Sequence, residues 1–194
     1  MLNQLANAIL SGDCNNAIKI MKEASKIYPI EDIINNGILA AWSMFSEFYE
    51  KDPVNALKNW DLIYITTIKV LKIIEGTIDE KKPSIIVATI EGEGHILMKE
   101  IIAAYLRSLG FKVYSPKGGI NIDKLSNLDS SIKILVLSCI QDDTEENLKK
   151  LIKEVKKLLP DIKIIAGGPI AHRIGADYVV SNILELKNIL LNIK

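Results

Sequence analysis

The sequence predicts an α/β protein built from an N-terminal four-helix bundle and a C-terminal doubly wound sheet of five parallel strands. Before residue 80, apolar residues recur at helical spacing and glycine is rare. After it, short β-branched runs alternate with helical stretches. The charged stretch Asp79–Pro83 suits an exposed linker between the two patterns. We therefore expect a helical cap domain over residues 1–80 and an α/β domain over residues 83–194.

Four helices are expected in the first part. The first carries apolar residues on one face and ends at Ser11-Gly12, and the second begins after Asp13 as its N-cap. The third runs from about Glu31 to Glu50. Asp52-Pro53 places an N-cap directly before proline at the first helical position, so a fourth helix begins there. Short connections between such helices favour antiparallel neighbours and hence a small bundle.

Five strands are expected in the second part. The run Ser84–Ile90 is continuously apolar, which is typical of a parallel strand buried on both faces. Further strands are predicted over residues 111–114, 132–138, 162–166 and 178–180, with helices over about 95–109, 144–159 and 183–193. In such sheets ligands bind outside the carboxyl ends of the strands, at the point where the strand order reverses.

Composition excludes several classes of function. Lys+Arg and Asp+Glu both number 24, so there is no broad charge for nucleic acid or an anionic membrane. The longest uncharged stretch, Ile33–Ser46, is too short to span a bilayer, and the N-terminus does not resemble a signal peptide. Cys14 and Cys139 are far apart, which favours two reduced thiols in a cytoplasmic protein.

The loop after the first strand contains the residues best suited to ligand chemistry. It reads Glu91-Gly92-Glu93-Gly94-His95, with two glycines beside a carboxylate and an imidazole. A neutral His95 could bind a metal through one ring nitrogen while its other N–H donates to Glu93. A surface histidine near a helix N-terminus and a phosphate-binding turn are the alternatives, although neither dinucleotide nor P-loop spacing is present.

Three loops together resemble the cobalamin-binding family of corrinoid proteins. The family motif is Asp-x-His-x-x-Gly after the first strand, Ser-x-Leu after the third and Gly-Gly after the fourth. The corresponding stretches here are Glu93–Met98, Ser138–Ile140 and Gly167–Pro169, and Ile174–Asp177 is similar to the family's segment before the fifth strand. The helical half is similar to the cap that precedes this module, at Ser11–Asp13 and Asn36–Leu39.

This resemblance implies a flavodoxin- or Rossmann-like domain that holds a cobalamin or cobamide, methylcobamide included, between bundle and sheet. It implies that His95 is the lower ligand of cobalt and that Glu93 and Ser138 hydrogen-bond outward from it. The nucleotide tail would enter a slot lined by the first helix of the domain, Ser138 and the glycine pair. The full set of cofactor-binding residues that it implies is Glu93, Gly94, His95, Leu97, Met98, Ser138, Ile140, Gly167, Gly168 and Pro169.

The same resemblance implies a function. The chain would be a carrier that accepts a methyl group on cobalt from a substrate-specific methyltransferase and passes it to a second methyltransferase. It would not be catalytic alone, would bind neither nucleic acid nor membrane, and would be cytoplasmic. A homodimer is compatible with this role.

The motif departs from the family pattern at four places. Glu93 replaces Asp, Met98 replaces a glycine beside the nucleotide tail, and Gln141-Asp142-Asp143 brings negative charge near the lower face. Only Pro169–Arg173 separates the glycine pair from Ile174, which shortens a loop. The alternatives are therefore a degenerate module that binds cobamide weakly or not at all, a cobalamin or light sensor, and a nucleotide- or flavin-binding protein of similar topology.

Overall fold

The computed structural model describes residues 1–126 and 132–193 and divides into two compact units, Met1–Glu75 and Gly76–Lys194. The first unit is helical and the second contains the sheet. No helix in the described ranges combines the length and the apolar composition that crossing a bilayer requires. The mixed α/β class that the sequence predicts is confirmed.

The helical unit begins its segments where the sequence places capping residues. Asp13 accepts a hydrogen bond from the backbone N–H of Asn16, and Asp52 accepts one from Asn55 with Pro53 at the first helical position. The helices are α1 Leu2–Leu10, α2 Cys14–Ala24, α3 Ile30–Ile33, α4 Ala40–Lys51, α5 Pro53–Lys58 and α6 Trp60–Leu71.

Two predicted helices of this unit are interrupted. A π-helical turn, Ile34–Leu39, joins α3 to α4, so the predicted third helix changes its winding in the middle. Gly37 lies in this turn against Leu5 of α1, where an added Cβ would approach the leucine Cδ2 to 2.9 Å. The predicted fourth helix breaks at Asn59, between α5 and α6.

The α/β unit forms a five-stranded parallel sheet in the order β2-β1-β3-β4-β5, which confirms the predicted doubly wound topology. Its strands are β1 Ser84–Ala88, β2 Val113–Tyr114, β3 Ile132–Ser138, β4 Lys163–Gly167 and β5 Tyr178–Val180. Its helices are α7 Ile96–Ser108, α8 Ile122–Ser126, α9 Glu145–Leu158 and α10 Ile183–Asn192, with short 3-10 turns at Asp142–Thr144 and Ala171–Arg173. The sequence did not predict α8.

The two faces of the sheet are covered differently. On one face, alternate strand residues such as Leu135 and Leu137 pack with the apolar side of α9, including Leu148 and Ile152. Because successive strand residues point to opposite faces, Val136 lies on the other face, which includes the lining of a slot described below. The strands β1 and β3 are buried almost throughout, as their continuous apolar sequence predicts.

The segment Ile174–Asp177 positions the end of the sheet. Gly175 adopts a φ of 79°, a left-handed conformation that favours glycine. One carboxylate oxygen of Asp177 accepts hydrogen bonds from the backbone N–H of Ile164 and from the ammonium of Lys156. These bonds attach the residues before β5 to β4 and to α9.

Candidate functional site

The candidate site lies where the loops after β1 and β3 meet. The strand order reverses at this point, because β2 and β3 flank β1 on opposite sides. Side chains from the first loop therefore contact the backbone of the second. Such a crevice is where doubly wound folds bind their ligands.

The carboxylate of Glu93 holds the two loops together. Its Oε1 accepts from the backbone N–H of His95 at 2.9 Å and lies 2.8 Å from the imidazole Nδ1. Its Oε2 accepts from the backbone N–H of Gln141 at 2.9 Å and from that of Ile140 at 3.4 Å. The side chain is only 1% exposed, so these four contacts replace its hydration.

The contacts of Glu93 keep its carboxylate ionised. Burial by itself raises the pKa of this group, but the hydrogen bonds from the backbone of His95 and Gln141 and from the imidazole outweigh that effect. The net result is a pKa below the ordinary value of a glutamate. An ionised Glu93 accepts from Nδ1–H and so favours the tautomer in which Nε2 carries the lone pair.

The imidazole of His95 has one engaged and one open ring nitrogen. Nδ1 faces Glu93, whereas Nε2 has no hydrogen-bond partner in the ranges that the structure describes. The side chain is 57% exposed and lies directly before α7, where His95 is the N-cap residue. A neutral imidazole fixed by a carboxylate and open at Nε2 is the usual arrangement of a histidine that binds a metal.

In the described residues, Ser138 makes no hydrogen bond to Glu93. The backbone amides of Ile140 and Gln141 take the position on Glu93 that the resemblance gave to the serine hydroxyl. Glutamate is one methylene longer than the family's aspartate, so its carboxylate reaches the next loop directly. The Gln141 side chain adds a bond across the same gap, because its Oε1 accepts from the backbone N–H of Gly94 at 3.2 Å.

A slot of about 360 Å³ lies beside α7 on the face of the sheet that carries Val136. Met98 and Ile102 of α7 form one wall, and residues at the end of β5 and the start of α10 form the opposite wall. Ser138 is 4% exposed, and its hydroxyl has no partner within the described part of the chain. The slot is therefore an apolar cavity with a hydroxyl group available to a ligand.

The floor of the slot is made by main chain at the ends of β3 and β4. Gly168 has a φ of 114°, and a Cβ at this position would lie 2.2 Å from the carbonyl oxygen of Cys139. Only glycine allows this close approach of the two loops. Burial, followed by the nearby charge of Glu93, raises the pKa of Cys139 to about 12, so this thiol stays protonated.

The structure separates the predicted site residues into two groups. Glu93, Gly94 and His95 belong to the loop contact and do not line the slot. Leu97 is half-buried and belongs to neither group. The slot lining includes Met98, Ser138, Ile140, Gly167, Gly168 and Pro169. Sequence reasoning missed the contribution of Gln141 and the backbone amides, since no side-chain pattern indicates them.

The departures from the motif have identifiable surroundings. Met98 lines the slot without closing it. Asp142 forms an ion pair with Arg173 of the short turn after β4, so the negative charge of Asp142 is compensated near the site. The same guanidinium lies 3.0 Å from the carboxylate of Glu145. His172 is exposed in the same turn and does not line the slot.

Taken together, the sheet, the loop contact and the slot define a cofactor-binding α/β protein with a histidine placed for a metal. The chain belongs to the B12 binding domain family, whose model matches residues 83–182. Its cofactor is therefore a cobalamin or a related cobamide.

Similar proteins match most of the chain. Dimethylamine corrinoid protein 3 of Methanosarcina acetivorans is 25% identical over 200 residues, which cover 95% of this chain and 92% of that protein. The structure of the Methanosarcina barkeri monomethylamine corrinoid protein superposes with a TM-score of 0.75 at 20% identity, covering 98% of this chain and 96% of that one. The methanol:cobalamin methyltransferase complex of the same organism contains a chain with a TM-score of 0.50 at 15% identity, with coverages of 98% and 80%.

The residues present fit a cobamide. An open Nε2 on a carboxylate-fixed imidazole suits cobalt, which accepts imidazole nitrogen as a ligand. Ser138, which is 4% exposed, lines an apolar slot that can receive an uncharged group of the cofactor.

Proposed function

We propose that the chain is a corrinoid carrier that accepts a methyl group on cobalt from one methyltransferase and delivers it to another. The observation that supports this most directly is the Glu93–His95 pair with its open Nε2. A carrier must bind its cofactor on one face and leave the opposite face accessible to other proteins. A histidine ligand on a loop at the carboxyl ends of the strands suits that requirement.

Each residue of the pair has a distinct role in this proposal. His95 would bind cobalt through Nε2, and Glu93 would hold Nδ1–H and fix the orientation of the ring. The amides of Ile140 and Gln141 would in turn hold the carboxylate, so the imidazole is supported from two loops. When bound, the cobamide supplies a metal centre at which methyl groups are taken up and released.

The names of the relatives support the choice of partner. The relative described above is a dimethylamine corrinoid protein, and one of the two solved structures is a monomethylamine corrinoid protein. Both describe methylamine systems. A methylamine-type methyltransferase is therefore the donor-side partner that we propose, with a second methyltransferase as acceptor.

The cobalt ligand is tested by loading purified protein with hydroxocobalamin, desalting it and recording the visible spectrum. We expect a retained corrinoid with a spectrum of imidazole ligation that His95→Ala abolishes. His172→Ala is the matched control, because it alters the second of the two histidines, exposed and outside the slot. A colourless protein, or a spectrum unchanged in His95→Ala, contradicts the proposed ligand.

The carrier role needs a separate measurement. Loaded, reduced protein is incubated with isotopically labelled dimethylamine and the methyltransferase that serves dimethylamine corrinoid proteins, then desalted. We expect labelled methyl groups to remain with the protein and to be lost in His95→Ala. A protein that binds cobamide but never acquires label would contradict the carrier role and favour a sensor.

A further inference from the structure

Lys99 is a charged residue in the interior of the α/β unit. It lies near the start of α7, four residues after His95, and is 1% exposed. Its ammonium donates to the backbone carbonyl of Pro116 and pairs with the carboxylate of Glu100, each at 2.8 Å. Burying an ammonium costs free energy that an apolar side chain of similar length would not. The presence of the charge is therefore explained by the groups that the ammonium binds.

The carbonyl that Lys99 binds belongs to the β2 loop, which we define as residues Ser115–Asn121. The hydroxyl of Ser115 donates at 3.3 Å to the same oxygen of Glu100 that pairs with the ammonium. Two side chains of α7 thus bind two successive residues at the start of this loop. The position of the β2 loop relative to α7 therefore depends on these bonds.

The end of the β2 loop is attached to the chain that leaves β1. The backbone N–H of Ile120 donates to the carbonyl of Thr89 at 2.8 Å, and that of Glu91 donates to the carbonyl of Ile120 at 3.0 Å. Gly119 packs so closely that a Cβ there would lie 2.5 Å from the carbonyl oxygen of Ile90. The main chains of the two loops are therefore in direct contact.

These contacts connect both ends of the histidine loop, Glu91–His95, to the β2 loop. Its first residue bonds Ile120, at the end of the β2 loop. Its last residue is followed directly by α7, whose Lys99 bonds the start of the β2 loop. Glu93, midway along the histidine loop, is held by backbone amides of the loop after β3. The distance from Glu93 to the imidazole therefore depends on how firmly α7 is held.

We propose that Lys99 is a positioning residue for the imidazole of His95. By joining α7 to the β2 loop, it keeps Nδ1 within hydrogen-bond distance of the Glu93 carboxylate. Lys99 acts through the main chain, since its ammonium bonds Pro116 and Glu100. The inference rests on the proposed function, in which Nε2 of this imidazole binds cobalt.

The affinity for cobalt depends on the fraction of molecules that hold the imidazole in place. The apparent Kd is the intrinsic Kd divided by that fraction. Without the bonds of Lys99, we expect the fraction to fall to about a tenth, so that the Kd rises about tenfold. This is the lower end of the usual effect of losing a residue that supports a metal ligand.

The test compares Lys99→Met with Lys156→Met in the full chain. Methionine is unbranched and flexible like the lysine stem, but it carries no ammonium. Lys156 is the matched control, because its ammonium also binds a backbone carbonyl, that of Ile162, and a carboxylate, that of Asp177. It lies near the end of α9, just before β4, whereas His95 follows β1 at the carboxyl ends of the strands. Urea unfolding of the unloaded proteins shows that both variants fold.

The first readout is nitrogen NMR of the histidines in the unloaded protein, at about pH 8, where an ordinary imidazole is neutral. We expect the unaltered chain and Lys156→Met to show His95 with its proton on Nδ1. In Lys99→Met, the His95 signals should move toward the mixture of both tautomers expected of the exposed His172. Unchanged His95 signals in Lys99→Met, or an equal change in Lys156→Met, would overturn the proposal.

The second readout is spectral titration with hydroxocobalamin. We expect the Kd of the imidazole-ligated form to rise about tenfold in Lys99→Met and to stay unchanged in Lys156→Met. A general loss of stability would affect the two variants alike. Equal Kd values for Lys99→Met and the unaltered chain would also refute the positioning role.

The two readouts separate this inference from the proposed function. If the unaltered chain binds no corrinoid, the proposed function is contradicted, and the NMR comparison still decides whether Lys99 positions the ring. If His95 of the unaltered chain already shows the mixture of tautomers, its contact with Glu93 is contradicted, and the positioning role with it.

Discussion

Removing the carboxylate of Glu93 should destabilise the α/β unit by about 3 kcal/mol. The carboxylate accepts from three backbone N–H groups, those of His95, Ile140 and Gln141, in addition to the imidazole. A net contribution of about 1 kcal/mol for each backbone hydrogen bond gives this figure. Glu93→Ala leaves those donors without the carboxylate and separates two loops that it now joins.

The measurement is urea unfolding of the unloaded protein, followed by circular dichroism. Glu91→Ala is the matched control, two residues earlier, where an exposed carboxylate pairs with Lys124. We expect a much smaller change there, because solvent screens an exposed ion pair. Equal free energies of unfolding for Glu93→Ala and the unaltered protein would refute the view that Glu93 joins the loops.

Three further results are expected. Because the folded-state pKa of Glu93 lies below its unfolded value of about 4.3, the stability that it contributes is present above that pH and is lost as pH falls through the lower folded value. Urea unfolding from about pH 6 to about pH 3 should therefore show that the free energies of unfolding of Glu93→Gln and the unaltered protein converge in acid. A constant difference between them would contradict this. Gly168→Ala should lower the free energy of unfolding in urea by about 3 kcal/mol, because the new Cβ would meet a carbonyl oxygen at a positive φ. Gly94→Ala is the control and should leave the free energy of unfolding unchanged, because the space around its Cβ is open. Equal effects of the two substitutions would contradict the close approach. Lys99→Met should lower the free energy of unfolding by about 2 kcal/mol in the same assay, because the buried ammonium bonds the carbonyl of Pro116 and the carboxylate of Glu100, each at 2.8 Å. An unchanged urea midpoint would show that these bonds do not stabilise the fold.

The strands and most helices were predictable because their burial constrains which residues their sequences can contain. Ser84–Ala88 and Ile132–Ser138 are buried almost throughout, and a strand covered on both faces must be continuously apolar. The caps at Asp13 and Asp52 were predictable for a similar reason, since a side chain satisfies the backbone donors of each helix.

The elements that the sequence did not predict have no distinct sequence pattern. The π-helical turn at Ile34–Leu39 retains helical composition, and its extra residue per turn changes the winding without changing residue type. Helix α8 has only five residues, Ile122–Ser126, too few to show a helical period.

At the site, a motif predicted the histidine and its carboxylate, but not what holds the carboxylate. The donors are backbone amides of residues 140 and 141, and every residue except proline has such an amide. The resemblance to the corrinoid family implied this position for the hydroxyl of Ser138. Only the fold shows that the serine faces the slot instead.

The contact between Gly168 and the carbonyl of Cys139 has a consequence for how relatives of this protein can diverge. The bottom of the cavity is main chain, which substitution cannot reshape without moving two strands. The sides are ordinary residues such as Met98, Ile102 and Leu186, which can be exchanged while the sheet stays intact. Sequence changes that alter the shape of the cavity should therefore accumulate at its sides, while its depth is preserved among relatives.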